Sequence, residues 1–121
     1  MTSATNALAG RRVLVVEDDY FIAADMQRAF EASGAEVLGP VPGVEEALQL
    51  IAATSKIDAA VLDVNLQDEL VYPVADALQA RGVPFVFATG YERTVIPNRY
   101  AGVRHCQKPI EAAQIAEALF A

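Results

Sequence analysis

The stretch RVLVVEDD, which runs from Arg12 to Asp19, joins four apolar residues directly to three acidic ones. Its Val13–Val16 run is apolar at every position, which is typical of a parallel strand covered by helices on both faces. Ala59–Leu62 and Phe85–Ala88 repeat this apolar pattern further along the chain. The three runs therefore predict the centre of a parallel sheet that is buried on both sides.

Two more strands and four amphipathic helices complete the pattern. Glu36–Leu38 is shorter and more polar than the central runs, as an edge strand would be, and Val103–Cys106 is the last predicted strand. Apolar residues recur at helical spacing between these strands. The predicted helices span Asp19–Ser33, Val44–Ala53, Leu70–Ala80 and Glu111–Phe120. Gly34 and Gly82 follow helix ends and precede strands, which favours a left-handed C-cap at each.

Alternating strands and helices predict an α/β fold, a (βα)5 doubly wound parallel sheet of the flavodoxin-like kind. The expected strand order is 2-1-3-4-5, with right-handed crossovers. The fourth helix is degenerate: Pro97 would break it, so we expect one turn or a mobile loop between Thr89 and Val103. We assign residues 1–10 to a flexible N-terminal tail and residues 11–121 to one domain, a size typical of single domains.

The composition excludes several classes of protein. The net charge is -7, with 16 acidic against 9 basic residues, which argues against binding of nucleic acid or of an anionic membrane. No apolar run approaches the ~20 residues that span a bilayer, and the N-terminus lacks the features of a signal peptide. Cys106 has no partner for an intrachain disulfide, so a reducing, cytoplasmic setting is expected.

Polar side chains follow four of the predicted strands, at the sheet edge where ligands bind in such folds. In chain order they are Glu17, Asp18 and Asp19 after the first strand, Asp63 after the third, Thr89 and Gly90 after the fourth, and Lys108 after the fifth. Adjacent strands lie ~4.8 Å apart, so carboxylates at their ends repel one another unless a cation neutralises them. We expect Asp19 to cap the following helix, and the other acids to bind Mg²⁺, with Mn²⁺ as an alternative ion.

The remaining polar groups fit a phosphoryl-accepting centre around that metal. A carboxylate such as Asp63 attacks phosphorus and forms an acyl phosphate. The protein must then neutralise charge on the transferring group. The cation would take one phosphoryl oxygen, the Lys108 ammonium another, and the Thr89 hydroxyl or nearby backbone N–H groups a third. The joint occurrence of these groups predicts a phosphoacceptor, whereas each group alone is common.

These residues resemble the receiver domains of response regulators, over residues 11–121. The shared features are the acidic run after the first strand, the aspartate after the third, the hydroxyl after the fourth and Lys108-Pro109 after the fifth. The resemblance implies three catalytic residues, Asp63, Thr89 and Lys108, with Asp63 as the phosphorylated one. It implies four Mg²⁺ ligands, Asp18 directly, Glu17 through water, Asp63, and the backbone carbonyl of Asn65. It also implies a cis peptide bond before Pro109.

A narrower resemblance lies in PFVFATGY, residues 84–91. This run is similar to the FAT GUY receivers of alphaproteobacteria, many of which are single-domain proteins linked to the general stress response. The resemblance implies an HWE-type histidine kinase or a phosphotransfer protein as partner. Since no output domain would fit, the chain would signal by phosphorylation-dependent binding or act as a phosphate sink, as a phosphoacceptor and not an enzyme. We expect a monomer or a weak dimer.

Two positions depart from the receiver pattern. The run VNLQDEL, residues 64–70, replaces the common Leu-Pro-Asp-Gly pattern after the phosphoacceptor. His105 stands three residues before Lys108, where many receivers have Tyr or Phe. We therefore expect a different switch, in which Tyr91 acts or the Gly90–Gly102 loop becomes ordered on phosphorylation. The switch candidates are Thr89, Gly90, Tyr91 and His105.

Three other classes of protein compete with this prediction. A phosphatase of the haloacid-dehalogenase kind would need a second aspartate two residues after Asp63, where this chain has Asn65. A flavodoxin-like cofactor binder would offer hydroxyls and amides to a phosphate after the first strand, whereas Glu17, Asp18 and Asp19 would repel one. A pseudo-receiver, which is a scaffold without chemistry, is disfavoured by the complete polar set but left open by the unusual loop after Asp63.

Overall fold

The structure, a computed structural model, describes residues 7–67, 69–90 and 96–120. Its strands, in chain order, are Arg12–Val16 (β1), Glu36–Val41 (β2), Ala59–Asp63 (β3), Asn65–Leu66 (β4), Glu69–Leu70 (β5), Phe85–Thr89 (β6) and His105–Gln107 (β7). Five of them form a parallel sheet in the order β2-β1-β3-β6-β7, and β4 and β5 form a separate antiparallel hairpin. Without the hairpin, this is the predicted order 2-1-3-4-5.

Four helices cover the two faces of the sheet. They span Tyr20–Ala32 (α1), Val44–Ala53 (α2), Tyr72–Ala80 (α3) and Ala112–Leu119 (α4). Because side chains alternate along a strand, β1 contributes Val13 and Val15 to a core shared with α1 and α4. Leu14 and Val16 point to the other core, which α2 and α3 complete. None of the helices in the described residues has the length and apolar character needed to cross a membrane.

The helix ends follow the expected local chemistry. Asp19 is the N-cap of α1, and its carboxylate accepts hydrogen bonds from the backbone N–H groups of Phe21 and Ile22 at 2.9 and 3.1 Å. Gly34 and Gly82, just after α1 and α3, have φ angles of 90° and 70°. Both glycines therefore adopt the left-handed conformation that was predicted for them.

The described part of the connection between β6 and β7 contains one short turn, where many such folds have a helix. A 3₁₀ turn spans Asn98–Tyr100, and residues 91–95 lie outside the described residues. Tyr100 is completely buried, and its hydroxyl donates to the Asp76 carboxylate and to the Tyr72 carbonyl. The predicted single turn is thus confirmed for residues 96–102, and a buried tyrosine fixes it against α3.

Several predicted boundaries are wrong. β7 begins at His105 and not at Val103, and Leu70 belongs to the hairpin and not to α3. The edge strand β2 continues to Val41, past a cis Gly39–Pro40 bond that accompanies an irregular register with β1. An apolar pattern could not reveal these three changes, because turns and backbone irregularities decide them.

The described part of the predicted tail belongs to the fold. Leu8 is completely buried and lies in the core beneath α1 and α4. The backbone N–H of Gly10 donates to the carbonyl of Gly34 at 2.9 Å. The ordered domain therefore begins before the predicted boundary at residue 11, because an apolar side chain in the predicted tail fills the core. Residues 1–6 lie outside the described residues.

The left-handed conformation of Gly82 provides a test of the fold. Gly82→Ala should lower the free energy of unfolding by about 1 kcal/mol, because a Cβ is unfavourable at positive φ. Gly102→Ala is the matched control, since a Cβ has open space at both positions and Gly102 lacks a positive φ. Urea unfolding of the three proteins measures the difference. Equal losses in both variants would contradict this account of the α3 end.

Candidate functional site

The carboxyl ends of β1 and β3 place two acidic residues side by side. Asp63 ends β3, and the register pairs Val16 of β1 with Leu62 of β3. Glu17 directly follows Val16, so Glu17 and Asp63 lie at equivalent positions on neighbouring strands. The backbone N–H of Glu17 donates to the carbonyl of Val41 at 3.0 Å, which fixes it against β2 as well.

Both carboxylates are withdrawn from water. Glu17 and Asp63 are 2% and 6% exposed and are the buried charged residues of the described chain. The Lys108 ammonium, itself mostly buried, lies 2.6 Å from Oε1 of Glu17 and 3.1 Å from Oδ2 of Asp63. Lys108 is the shared partner of both carboxylates, so its removal would leave two buried negative charges without a compensating one.

Backbone contacts hold Lys108 at this position. Its N–H donates to the carbonyl of Thr89 at 2.8 Å, where β6 and β7 end together. The Lys108–Pro109 peptide bond is cis, as the resemblance implied. The side chain therefore leaves the end of β7 and reaches across β6 to the acids on β1 and β3.

The balance of charge changes the protonation of Asp63. Burial is the main cause that raises its pKa, from 3.8 to about 8, and the contact with Glu17 and its charge act in the same direction. Lys108 opposes this rise without cancelling it. Burial also lowers the pKa of Lys108, but hydrogen bonding to Glu17 and the charges of Asp63 and Glu17 outweigh it and raise that pKa. One cation thus does not balance two buried carboxylates.

A second cation would fit this site. Glu17, Asp18 and Asp63 each offer a carboxylate oxygen, and these three oxygens lie within 4.8 Å of one another. Oε1 of Glu17 is buried and faces the Lys108 ammonium at 2.6 Å, and a carboxylate oxygen has a second lone pair that can bind a metal cation. Hard divalent cations prefer such oxygen ligands. Asp18 is partly exposed and gives this cluster an open side towards solvent.

Two of the other predicted site residues follow or end the strands that neighbour this cluster. The backbone N–H of Asn65 donates to Oδ1 of Asp63 at 3.2 Å, at the start of the β4–β5 hairpin. Thr89 is half-buried at the end of β6, one residue beyond the register partner of Asp63, and Gly90 follows it in an exposed position. Tyr91 lies outside the described residues.

His105 is separate from the acids. It is exposed on β7, and its ring packs edge-on against Phe87 with the ring centres 5.9 Å apart. The sequence did not predict the direct Glu17–Lys108 ion pair or the hairpin after Asp63. The run VNLQDEL lacks the usual Pro and Gly, which indicated an unusual loop after Asp63. It did not indicate that the loop forms two paired strands.

Comparison with solved structures identifies close matches. The solution structure of SdrG from Sphingomonas melonis Fr1 is 38% identical to this chain, with a TM-score of 0.79, and the match covers 98% of this chain and 96% of that one. The BeF3-activated conformation of SdrG from Pseudomonas melonis Fr1 is 37% identical to this chain, with a TM-score of 0.73. That match also covers 98% of this chain and 96% of the other. The response regulator PhyR from Brucella abortus, at 23% identity and a TM-score of 0.76, shares the fold over 97% of this chain and 51% of its own. No family model and no curated protein matches the chain.

The raised pKa of Asp63 predicts how stability depends on pH without metal. In the unfolded chain Asp63 ionises near its ordinary pKa of 3.8, whereas in the folded chain it ionises near 8. Its stabilising contribution is therefore complete below pH ~4 and is lost as the pH rises to ~8, at a rate of at most about 1.4 kcal/mol per pH unit. Asp63→Asn should remove this loss, so the variant gains stability over the wild type between pH 5 and 7.

Urea unfolding in a metal chelator, at several pH values, measures this difference. Glu117→Gln is the control, because Glu117 is exposed on α4, and its stability should stay within about 0.5 kcal/mol of the wild type at each pH. If the curves of Asp63→Asn and wild type are parallel between pH 5 and 7, the two carboxylates are not held as described.

Proposed function

This chain belongs to the receiver-domain family of response regulators, and we propose that Asp63 accepts a phosphoryl group in a reaction that needs Mg²⁺. The observation that supports this proposal best is the convergence of Asp63 with Glu17, Asp18 and Lys108 at one edge of the sheet. A similar protein has been solved in a BeF3-activated conformation, which supports an activation step for this chain too. The chain would signal through a modification of itself and not by turnover of a separate substrate.

The chemistry follows from the charges at the site. A carboxylate oxygen of Asp63 forms a bond to phosphorus, while the bond from phosphorus to the donor's nitrogen or oxygen breaks and its electron pair leaves with the donor. For this step Asp63 must be ionised, although burial raises its pKa. When bound by Glu17, Asp18, Asp63 and the Asn65 carbonyl, Mg²⁺ would supply positive charge that favours the ionised carboxylate.

Lys108 and Thr89 have separate roles in this proposal. The Lys108 ammonium lies 3.1 Å from the Asp63 carboxylate. During the transfer it would form an ion pair with the incoming phosphoryl oxygens instead of with this carboxylate. Thr89 lies at the end of the neighbouring strand, where its hydroxyl would donate to another phosphoryl oxygen. Thr89, Gly90, Tyr91 and His105 are the residues through which we expect the modification to be read out.

Phosphorylation by a small donor tests the reaction. Incubation with MgCl2 and acetyl phosphate should add one phosphoryl group to the wild-type protein, as seen by intact mass spectrometry. Asp63→Asn should gain none, because the amide is not a nucleophile for phosphorus. Asp25→Asn is the matched control on an exposed aspartate and should react like the wild type. An equal adduct on Asp63→Asn and wild type would refute the assignment of Asp63.

The start of α1 is the surface that we propose for the phosphoryl donor. Tyr20 and Phe21 are each 78% exposed, and their rings pack edge to face with centres 5.6 Å apart. A hollow of about 290 Å³ on one side of α1 is lined in part by Glu17, Asp18 and Tyr20. A second hollow of about 230 Å³ is lined in part by α1 residues and Lys108. Exposed aromatics beside the acceptor suit an apolar partner helix.

We propose that this partner is an HWE-type histidine kinase or a phosphotransfer protein of a general stress response. The support is the similarity of residues 84–91 to the FAT GUY receivers and the 38% identity to SdrG. The geometry of α1 agrees with a partner that delivers phosphate from a helix, because the exposed aromatics and the acidic cluster share one end of the molecule.

Replacement of the two aromatics separates donor binding from chemistry. The double variant Tyr20→Ala/Phe21→Ala should slow phosphotransfer from an autophosphorylated HWE-type kinase by about tenfold or more, since aromatic anchors dominate interfaces. Its reaction with acetyl phosphate should stay at the wild-type rate. Gln49→Ala on the exposed face of α2 is the control. Equal kinase transfer to all three proteins would exclude this surface as the donor site.

A further inference from the structure

A side chain from the hairpin holds the loop after Asp63 against the start of α2. Glu69 on β5 accepts a hydrogen bond at 2.8 Å from the backbone N–H of Val44, the first residue of α2. Gly43 is the N-cap of that helix and has no side chain to satisfy the free N–H groups of the first turn. The hairpin thus provides a cap that α2 lacks in its own sequence.

The absence of a side chain at Gly43 makes room for the Glu69 carboxylate. Gly43 is buried, and a Cβ built on it would lie 3.2 Å from Oε1 of Glu69. Its φ angle of -142° is ordinary, so backbone conformation does not require glycine at this position. The missing side chain therefore leaves room for the Glu69 carboxylate.

Both ends of this hydrogen bond lead to the acid cluster. On the α2 side, only Pro42 and Gly43 separate Val44 from Val41, whose carbonyl accepts the hydrogen bond from Glu17. This short connection fixes the start of α2 relative to the carboxylate of β1.

The hairpin leads to the carboxylate of β3. Leu66 pairs with Glu69 and Asn65 pairs with Leu70 across the hairpin. The N–H of Asn65 donates to Oδ1 of Asp63 at 3.2 Å. Glu69 therefore closes a ring of contacts that runs from Glu17 through β2, α2 and the hairpin to Asp63.

We propose that Glu69 is a positioning residue for phosphoryl acceptance, an inference that rests on the function proposed for Asp63. Its carboxylate fixes the Asn65 loop to α2 and so sets the distance between that loop and Glu17. Mg²⁺ demands near-ideal octahedral geometry, so a displaced loop weakens metal binding although it contributes no charged ligand. Mutation of a group that hydrogen-bonds a metal ligand directly typically costs 10–100-fold in metal affinity. Glu69 acts through the hairpin, so we expect an effect at the lower end of this range.

The test compares the wild type with Glu69→Ala, Glu69→Gln and the double variant Glu69→Ala/Gly43→Ser. Phosphorylation by acetyl phosphate is followed over a series of MgCl2 concentrations, together with the thermal unfolding midpoint. Glu69→Ala should raise the half-saturating Mg²⁺ concentration by about tenfold and change the plateau rate much less. Glu69→Gln keeps an acceptor for the Val44 N–H and should stay within about twofold of the wild type.

The double variant separates positioning from stability. The Gly43→Ser change would give α2 a cap of its own, and the exposed Glu46 side chain, whose Oε1 lies 2.7 Å from the built Cβ, can move aside. Glu69→Ala should lower the unfolding midpoint, because the Val44 N–H loses its acceptor. In the double variant the midpoint should recover, while the tenfold higher Mg²⁺ requirement remains. If the Mg²⁺ requirement recovers together with the midpoint, Glu69 acts only by stabilising α2 and the inference is wrong.

Two further outcomes are decisive. Wild-type Mg²⁺ dependence in Glu69→Ala would also overturn the inference. The control is Glu46→Ala, which removes an exposed acid from the first turn of α2 and should match the wild type. If the wild type gains no phosphoryl group, the function proposed for Asp63 fails instead. Titration of the same proteins with MgCl2, followed by amide NMR shifts, then still measures the tenfold weaker binding that the inference requires of Glu69→Ala.

Discussion

The contact of the Lys108 ammonium with the carboxylates of Glu17 and Asp63 is the constraint on which the rest of the structure depends. Two buried carboxylates on adjacent strands repel each other, and a single ammonium at 2.6 and 3.1 Å compensates only part of their charge. Burial is the main cause of the raised pKa of Asp63, and the contact with Glu17 and its charge raise this pKa further. A folded chain with this imbalance favours an additional cation, and that preference is the physical basis of the proposed metal dependence.

The fold provides this contact by bringing distant parts of the sequence to one edge. Glu17, Asp63 and Lys108 come from the residue after β1, from β3 and from the residue after β7, and parallel strands align their carboxyl ends. The apolar cores on both sides of the sheet supply the stability that allows charges to be buried there. In the chain after Asp63, a hydrogen bond between the hairpin and α2 holds the loop that contains Asn65.

The sequence predicted those features that repeat or that follow strand ends. Val13–Val16 and Phe85–Ala88 are apolar on both faces, so their burial followed from the sequence. The strand order followed from the alternation of strands and helices. Asp19 and Gly82 have local roles that their residue types indicate. The hairpin after Asp63 and the buried Leu8 were not predictable in this way, because each depends on tertiary contacts. The same holds for Glu69, which acts on a helix 25 residues away in sequence.

The most direct test is to find which residue of the chain carries the phosphoryl group. Borohydride reduces an aspartyl phosphate to homoserine, which is stable during peptide mapping by mass spectrometry. After reaction with acetyl phosphate and Mg²⁺, we expect homoserine at position 63, the last residue of β3. A phosphoryl group on His105, or a reduced residue at Asp18 with position 63 unchanged, would contradict this expectation.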